Sequence, residues 1–420
     1  MTFAPSIPWS LSMPFSIKKR IGIFGGAFDP PHKGHEKALL TFLRGADLDL
    51  VYVIPSGIPP HKVKSGKSAD SDRLEMAKLA FSPISEKIVV SDMEIASPET
   101  SYTYLTVEKI SASHPEDEIF LFIGTDQLLS FESWRRVEYL FSRCTLCVMD
   151  RFDDGSVIRN QISHLEKKYR ARFLLLEEKA FIISSTEIRE ELSEKGFSFG
   201  LSPKVNDYIA LHGLYLANGI LPRNDLILRL CREIGASRLS HTLSVERECV
   251  FLSELLGLEN TKEMSLAALF HDLTKEKSTS EQIRILNEFG VKPSSEDIAS
   301  PAVLHGMTAA LLAEQEGLLS EKGVSAVRFH TTGKENMTVE EMVLYLADYM
   351  EETRKHPACI ALRKEFYENL PSGFEGRLLH LKKAVYSAMK NTLLYIKEKN
   401  MPIHPLTQRA LLDLEQKGIQ

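Results

Sequence analysis

A chain of 420 residues, 43% hydrophobic and 26% charged, is long enough for two or three domains and ordinary for folded globular protein. Its net charge is −6 and neither half has a basic excess, so bulk charge does not point to nucleic acid. No apolar run approaches the ~20 residues that span a bilayer, and five cysteines argue against a disulfide scaffold and for a reducing, cytoplasmic setting.

Residues 1–17 hold Pro5, Pro8 and Pro14 and no basic residue. That pattern is not a secretory signal; a loosely ordered leader is expected, with Met13 an alternative start. A strand pattern follows over Arg20–Phe24. Then comes Gly-Gly-Ala-Phe-Asp-Pro-Pro-His-Lys-Gly-His, Gly25–His35, and a helical pattern from Glu36. A strand, a glycine turn and a helix N-terminus make an anion site, because free backbone N–H groups point at the turn. His32 and His35, at i and i+3, add side-chain donors. The run is neither a Walker A loop nor a dinucleotide fingerprint, and two histidines alone could be surface residues on a helix start.

Further strand patterns lie at Leu50–Ile54, Ile88–Ile95, Ile119–Ile123, Thr145–Met149 and Arg172–Leu176, with helical patterns between most of them. This alternation predicts an α/β, Rossmann-like domain with a parallel sheet and ligands at the strand C-terminal ends. Cys144 and Cys147 fall on the fifth strand, where i and i+3 face opposite sides. They lack the second half of a zinc site and read as structural. At Ile183–Arg189 a helix start offers the hydroxyls of Ser184, Ser185 and Thr186, with Arg189, to phosphates. The same letters are also an ordinary helix cap, and the two readings are compatible. The first domain is expected over 18–217, with a short linker at 218–223.

From residue 224 to 420 the pattern is helical throughout, predicting an all-α domain. His271-Asp272 ends the apolar helical run Ala267–Phe270. His241 lies 30 residues earlier, and Asp348 lies 76 residues after Asp272 at the end of another apolar run. His305 begins a helix pattern and His330 precedes Thr331-Thr332-Gly333. Imidazoles and carboxylates together suit a divalent metal, although each residue singly is as readily a packed or surface group. Lys275 and Arg354 are candidate phosphate clamps, or simply parts of a solvated helix face.

The His-x-Gly-His element, with Gly25, Gly26, Phe28, Asp29, Pro30 and Gly34, resembles the signature of the nucleotidylyltransferase superfamily. Pro59-Pro60-His61-Lys62, Ser101-Tyr102-Thr103, Gly124-Thr125-Asp126 and Trp134 make Lys18–Leu216 similar to bacterial nicotinate-nucleotide adenylyltransferase. The resemblance implies ATP with Mg²⁺ and nicotinate mononucleotide as substrates. It implies that His32, His35 and Arg189 bind the triphosphate beside Gly25, Gly26, Phe28, Gly34, Ser184, Ser185 and Thr186. Tyr102, Thr103 and Trp134 would recognise nicotinate, and Gly124 and Asp126 the ATP ribose. Lys62 and Arg151 would assist at the phosphates or the acceptor. The rival within the superfamily, pantetheine-phosphate adenylyltransferase, typically carries Thr where His32 stands.

The second half resembles the HD phosphohydrolase superfamily. Its His305-Gly306, His330-Thr331-x-Gly333 and Ala347-Asp348 settings are similar to the branch that hydrolyses diadenosine tetraphosphate symmetrically to two ADP. That likeness spans Arg223–Lys399. It implies two divalent metal ions, iron or manganese among the candidates, on His241, His271, Asp272, His305, His330 and Asp348. Asp272 and Lys275 would then stand at the catalytic centre, with Arg354 on the phosphates. Alternatives are an HD domain acting on another nucleotide, or one that only senses nucleotides. The implied partners are small nucleotides, with no nucleic acid or membrane; oligomeric state stays open, a homodimer included.

Overall fold

A computed structural model describes residues 18–57, 68–149, 156–176, 183–216 and 221–419. The expected leader, Lys62 and Arg151 lie outside the described residues. Contacts divide the chain into two units. One comprises Met1–Glu190 and Gly200–Val205, the other Glu191–Phe199 and Asn206–Gln420. The change from one to the other thus falls ahead of the expected linker at 218–223. Within that linker, Leu221–Arg223 open a helix, and 218–220 lie outside the described residues.

The first unit is built on six strands: β1 (Arg20–Gly26), β2 (Leu50–Pro55), β3 (Ile88–Val90), β4 (Glu118–Gly124), β5 (Cys144–Met149) and β6 (Arg172–Leu176). They form one sheet in the order β3-β2-β1-β4-β5-β6, and every pairing is parallel. Helices α1 (Lys33–Gly45), α2 (Asp70–Phe81), α3 (Thr103–Ser113), α4 (Thr125–Ser130), α5 (Val137–Arg143) and α6 (Ser156–Tyr169) connect the strands. The helices α7 (Ser185–Lys195) and α8 (Pro203–His212) follow β6. This is the Rossmann-like α/β arrangement expected from the alternation.

A sheet covered on both faces needs near-continuous apolar strands. β1 supplies Ile21, Ile23 and Phe24, and β4 supplies Ile119, Phe120, Leu121 and Ile123, all buried. Cys144 and Cys147 are buried on β5, where burial pushes both thiols up to about 12; they pack and do not react. The strand order reverses between β1 and β4, and a parallel sheet opens a crevice at such a switch point, beyond the strand C-terminal ends.

The third strand is shorter than the expected Ile88–Ile95. Ser91 N–H donates to Val53 O at 2.9 Å, the last bond to the sheet, and Ala96 N–H then closes a turn onto Asp92 O at 2.8 Å. Ser91 and Asp92 are turn formers, and the apolar residues beyond them do not extend the strand.

The second unit is helical, with no strand among its described residues. Its helices are α9 (Leu221–Glu233), α10 (Ala236–Leu255), α11 (Thr261–Phe270), α12 (Thr279–Glu288), α13 (Ser295–Ala299) and α14 (Leu304–Glu316). The remainder are α15 (Glu321–Phe329), α16 (Val339–Met350), α17 (Pro357–Glu368), α18 (Phe374–Glu398) and α19 (Pro405–Gln416). Ala267, Ala268, Ala309, Ala326 and Ala347 are all fully buried in its core. Such small side chains let helix backbones approach closely, so polar residues beside them can meet at the centre. No helix among the described residues is long and apolar enough to cross a membrane.

Candidate active sites

In the first unit, His32 caps α1. Its Nδ1 accepts from His35 N–H at 3.4 Å, and His35 Nδ1 accepts in return from His32 N–H at 3.3 Å. The two rings stack with centroids 3.6 Å apart. An imidazole that accepts at Nδ1 carries its proton on Nε2 when neutral. Both histidines are thereby set as Nε2–H donors at a helix N-terminus. Gly34 is required by crowding: a Cβ there would sit 2.7 Å from Ile183 Cγ2 and 3.0 Å from His32 Nδ1.

The N-terminus of α7 is drawn to the same corner. Ser185 Oγ donates to Pro30 O at 3.1 Å, and Arg189 Nη1 donates to Asp29 O at 2.8 Å. Arg189 also reaches Thr186 Oγ1 at 3.1 Å. The capping reading of this segment is realised in full. Ser184 N–H donates to Glu187 Oε2 at 2.9 Å, while Ser184 Oγ accepts from Glu187 N–H at 3.2 Å. Two helix N-termini, two imidazole donors and a guanidinium therefore meet beyond β1.

Beside this corner, at the switch point, opens a cleft of about 540 Å³. Gly25, Gly26, Tyr102, Thr103 and Trp134 line it, so residues from distant segments come together as expected. A Cβ on Gly25 would meet nothing within 4 Å; its missing side chain keeps the cleft floor open. Asp126 is exposed on the first turn of α4, next to Gln127, which lines the cleft. Gly124 ends β4, and its N–H donates to Gln127 Oε1 at 2.9 Å.

Phe28 differs from expectation. It is 1% exposed and packs edge-on against His35, with centroids 5.2 Å apart. Its side chain therefore supports the histidine from within the core and is not open to a nucleotide.

Two arginines were not legible in the sequence. Arg135 lies over the Tyr102 ring at 4.8 Å and lines the cleft. Arg73 is fully buried, donating to Ala27 O at 2.7 Å, Ser56 O at 2.6 Å and Asp70 Oδ1 at 2.7 Å. It ties the glycine turn to the end of β2.

In the second unit all six expected metal ligands converge. His241 comes from α10, His271 and Asp272 follow α11, His305 opens α14, His330 follows α15 and Asp348 lies in the last turn of α16. Asp272 is central. Its Oδ2 lies 3.6 Å from His271 Nε2 and 3.8 Å from His241 Nε2. Its Oδ1 lies 3.1 Å from His305 Nε2 and 3.8 Å from His330 Nε2. Asp348 Oδ1 stands 3.1 Å from His241 Nε2 and 3.9 Å from His271 Nε2.

The outer ring atoms fix the tautomers. His271 Nδ1 bonds Ala268 O at 2.5 Å and His330 Nδ1 bonds Val327 O at 2.7 Å. Both histidines sit at helix C-termini and use a carbonyl that the helix leaves unpaired. His241 Nδ1 bonds Glu351 Oε1 at 3.0 Å. The facing Nε2 atoms then present lone pairs inward, the usual second shell of a metal histidine. His241 Nε2 and His271 Nε2 are buried and have no hydrogen-bond partner among the described residues. Such orphaned atoms, with two carboxylates, fit a divalent cation.

Electrostatics agree. Burial holds His271 down to about 4 and His305 down to about 3, so both imidazoles are neutral at pH 7. Burial also opposes charge on His241, but the Asp348 and Glu351 carboxylates beside its ring outweigh it and lift it to about 9. A cation bound there would displace that proton. Burial opposes ionisation of Asp272 and Asp348, yet the His271, His305 and His330 imidazoles with Lys275 around the first, and Arg354 with His241 around the second, hold both well below the usual carboxylate range.

Lys275 Nζ lies 3.0 Å from His305 Nε2, and Arg354 Nη2 lies 2.5 Å from Asp348 Oδ1. Both expected phosphate clamps thus reach the cluster while staying partly exposed. Arg238 joins them, 3.0 Å from Asp272 Oδ2. Sequence reasoning missed it, along with Glu351; Glu351 could have been found as the carboxylate one turn after Asp348.

Comparison with known proteins places these units. A cytidylyltransferase-like family profile matches residues 23–191, and an HD domain profile matches 238–353. A protein of Carboxydothermus hydrogenoformans named "Probable nicotinate-nucleotide adenylyltransferase" is 36% identical over 198 residues, 47% of this chain and 98% of its own length. One of the same name from Synechococcus sp. is 34% identical over 211 residues, covering 49% and 99%. A Clostridium acetobutylicum crystal structure, described as a predicted HD superfamily hydrolase involved in NAD metabolism, is 29% identical. It covers 46% of this chain and 97% of its own, at a TM-score of 0.42. At the identity and coverage of the first two relatives, the chain belongs in its N-terminal half to the nicotinate-nucleotide adenylyltransferase family, and it carries an HD domain after that half.

Proposed function

We propose that the protein is a bifunctional enzyme. Its first unit transfers AMP from ATP to nicotinate mononucleotide, giving deamido-NAD and pyrophosphate in NAD biosynthesis. Its HD domain hydrolyses diadenosine tetraphosphate symmetrically to two ADP.

The observation that carries the first activity is the joining of the α1/α7 corner to the Tyr102–Trp134 cleft. The acceptor phosphate attacks the α-phosphorus in line and pyrophosphate leaves, so no protein nucleophile is required. Catalysis rests on positioning and on donors aimed at developing charge. The Nε2–H groups of His32 and His35, the N-termini of α1 and α7 and Arg189 face that charge. Tyr102 and Trp134 wall the ring of the acceptor, and the Arg135 guanidinium offers a counter-charge for its carboxylate.

The second activity rests on the single carboxylate of Asp272 lying between two pairs of imidazoles. This suits two divalent ions, on His241, His271 and Asp348 at one side and on His305 and His330 at the other. Divalent ions held there would supply Lewis-acid and water-activating chemistry to phosphoanhydride hydrolysis. Arg238, Lys275 and Arg354 would grip the remaining phosphate oxygens of a polyphosphate.

Product analysis of the intact protein tests both halves. Nicotinate mononucleotide with ATP should give deamido-NAD and pyrophosphate. Diadenosine tetraphosphate with manganese should give ADP alone; AMP with ATP, or no cleavage, would sink the second reading. Replacing His271→Ala and Asp272→Ala together should abolish that cleavage and leave adenylyl transfer intact.

A further inference from the structure

A cavity of about 430 Å³ opens in the second unit, and none of the metal-ligand cluster lines it. Every residue of its lining belongs to that unit. Phe197 lies on the segment after α7, Arg223 in the first turn of α9, Val250 on α10 and Leu266 on α11. Its size falls within the ~300–1,000 Å³ of small-molecule sites. The chemistry proposed for the two active sites uses none of these groups.

One wall holds a buried guanidinium. Arg223 is 5% exposed. Its Nε donates to Glu246 Oε1 at 2.6 Å and its Nη2 to Glu246 Oε2 at 2.8 Å. Glu246 Oε1 also accepts from Ser265 Oγ at 2.5 Å. The carboxylate is thus satisfied, but the guanidinium is not. Arginine carries its donors in a rigid fork with two usable edges, and Glu246 takes one. Nη1, on the other edge, is buried with no hydrogen-bond partner among the described residues. Buried donors are almost always paired, so an orphan on a cavity wall marks a place for an acceptor. Gly196 makes room for it: its φ is +82°, and a Cβ there would stand 2.5 Å from Nη1. The exposed side of the cavity carries Lys262, in the first turn of α11, and Glu194, the only acid of the lining. An ammonium at a helix N-terminus favours an approaching anion.

We propose that this cavity binds a small organic carboxylate with an apolar body, its carboxylate on the Nη1 edge of Arg223 and its body between Phe197, Val250 and Leu266. A carboxylate matches a guanidinium edge with two parallel N–H···O bonds. Arg223 is then held between two carboxylates, that of Glu246 and that of the ligand. A phosphate dianion suits the place less well, because a single guanidinium edge and apolar walls leave its other oxygens unpaired. The site is independent of the metal-ligand cluster and of the phosphohydrolase reading.

Saturation-transfer NMR on the full-length protein tests this. The probe is 4-methylpentanoate at millimolar concentration, with 4-methylpentanamide as its uncharged counterpart. Transfer to the methyl groups of the acid is expected, at least about fivefold stronger than to those of the amide. Replacing Arg223→Met and Glu246→Met together removes the guanidinium without stranding a buried carboxylate, an exchange that buried ion pairs often tolerate. It should abolish the transfer. Leu266→Trp fills the cavity, leaves the Arg223–Glu246 pair in place and should abolish the transfer as well. Adenylyl transfer should be unchanged in both variants. No transfer in the unaltered protein, equal transfer to acid and amide, or transfer that survives Leu266→Trp would overturn the proposal. So would displacement of the probe by inorganic phosphate at equal concentration, which would give the Nη1 edge to a phosphate.

Discussion

Glu351 shows how a residue outside the ligand set can govern it. Its carboxylate bonds His241 Nδ1 at 3.0 Å and also accepts from Thr353 N–H and Oγ1. The charge of the carboxylate makes the far nitrogen of His241 a stronger base. Second-shell losses of this kind typically lower metal affinity by ~10–100-fold. Glu351→Gln should therefore weaken manganese binding by about that factor, read by equilibrium dialysis, with little change in melting temperature of the metal-free protein. Glu248 is the opposite case, a carboxyl with no catalytic part. Burial lifts it to about 7, partly opposed by the Tyr367 hydroxyl that donates to it. The folded protein then holds a proton that the unfolded chain releases at an ordinary carboxyl value. Between those two values the folded state binds more protons, so stability falls as pH rises through the window. Glu248→Gln should flatten the decline of melting temperature between pH 5 and 7.5. An unchanged slope would show that Glu248 is not its source. Glu248 was not legible as a letter, because a carboxyl's ionisation depends on what folds against it, whereas Glu351 carried one signal, its place a turn after Asp348. The six residues of the cluster were legible as a set because their types and order suit one chemistry, and the fold brings them together.

At the scale of elements, the cluster is assembled by helix ends. His271 and His330 each follow the last turn of a helix and each uses the carbonyl three residues back as its anchor. Bringing those ends together depends on small residues. A Cβ on Gly306, in the first turn of α14, would stand 3.0 Å from Arg328 O and 3.4 Å from the His330 ring. Backbone oxygen cannot retreat as a flexible side chain can. Gly306→Val should force α14 away from α15 and separate His305 from His330, now 3.1 Å apart at Nε2. The expected result is loss of about half the bound metal, measured by elemental analysis, with adenylyl transfer unaffected. Full metal content in Gly306→Val would refute this account. Element boundaries were partly legible. The helix cap read at Ser184–Glu187 is realised at the start of α7. The end of β3 was not legible, because Met93 and Ile95 look like strand residues and only the turn at Ser91–Asp92 stops them.

At the scale of the molecule, the boundary between units was the least legible feature. The sequence suggests a break where Gly219 and Pro222 cluster and helical patterns take over. Contacts instead gather Glu191–Phe199 and everything from Asn206 with the second unit. The physical reason lies in long-range ion pairs and packing that no local pattern announces. Arg247, buried in α10, donates to Asp207 Oδ1 at 2.8 Å as well as to Glu352 Oε1 at 3.0 Å. Asp207 also accepts from Ser240 Oγ at 2.8 Å. Phe197 is 1% exposed, with the Arg223 guanidinium 5.9 Å from its ring centroid. A fragment that begins at Leu221 keeps every metal ligand but strips Arg247 of one partner and Arg223 of its aromatic neighbour. Removing one partner of a buried ion pair costs ~3–5 kcal/mol when no other remains. Glu352 stays, so the expected loss is nearer ~2 kcal/mol. For a unit of about this size that corresponds to a fall of roughly 4–8 °C in melting temperature. A fragment that begins at Glu191 restores both contacts and should melt above the shorter one by that margin. Equal melting temperatures would mean that the segment from Glu191 to Leu216 adds nothing to the second unit. The boundary expected from composition would then be the better guide to where this chain divides.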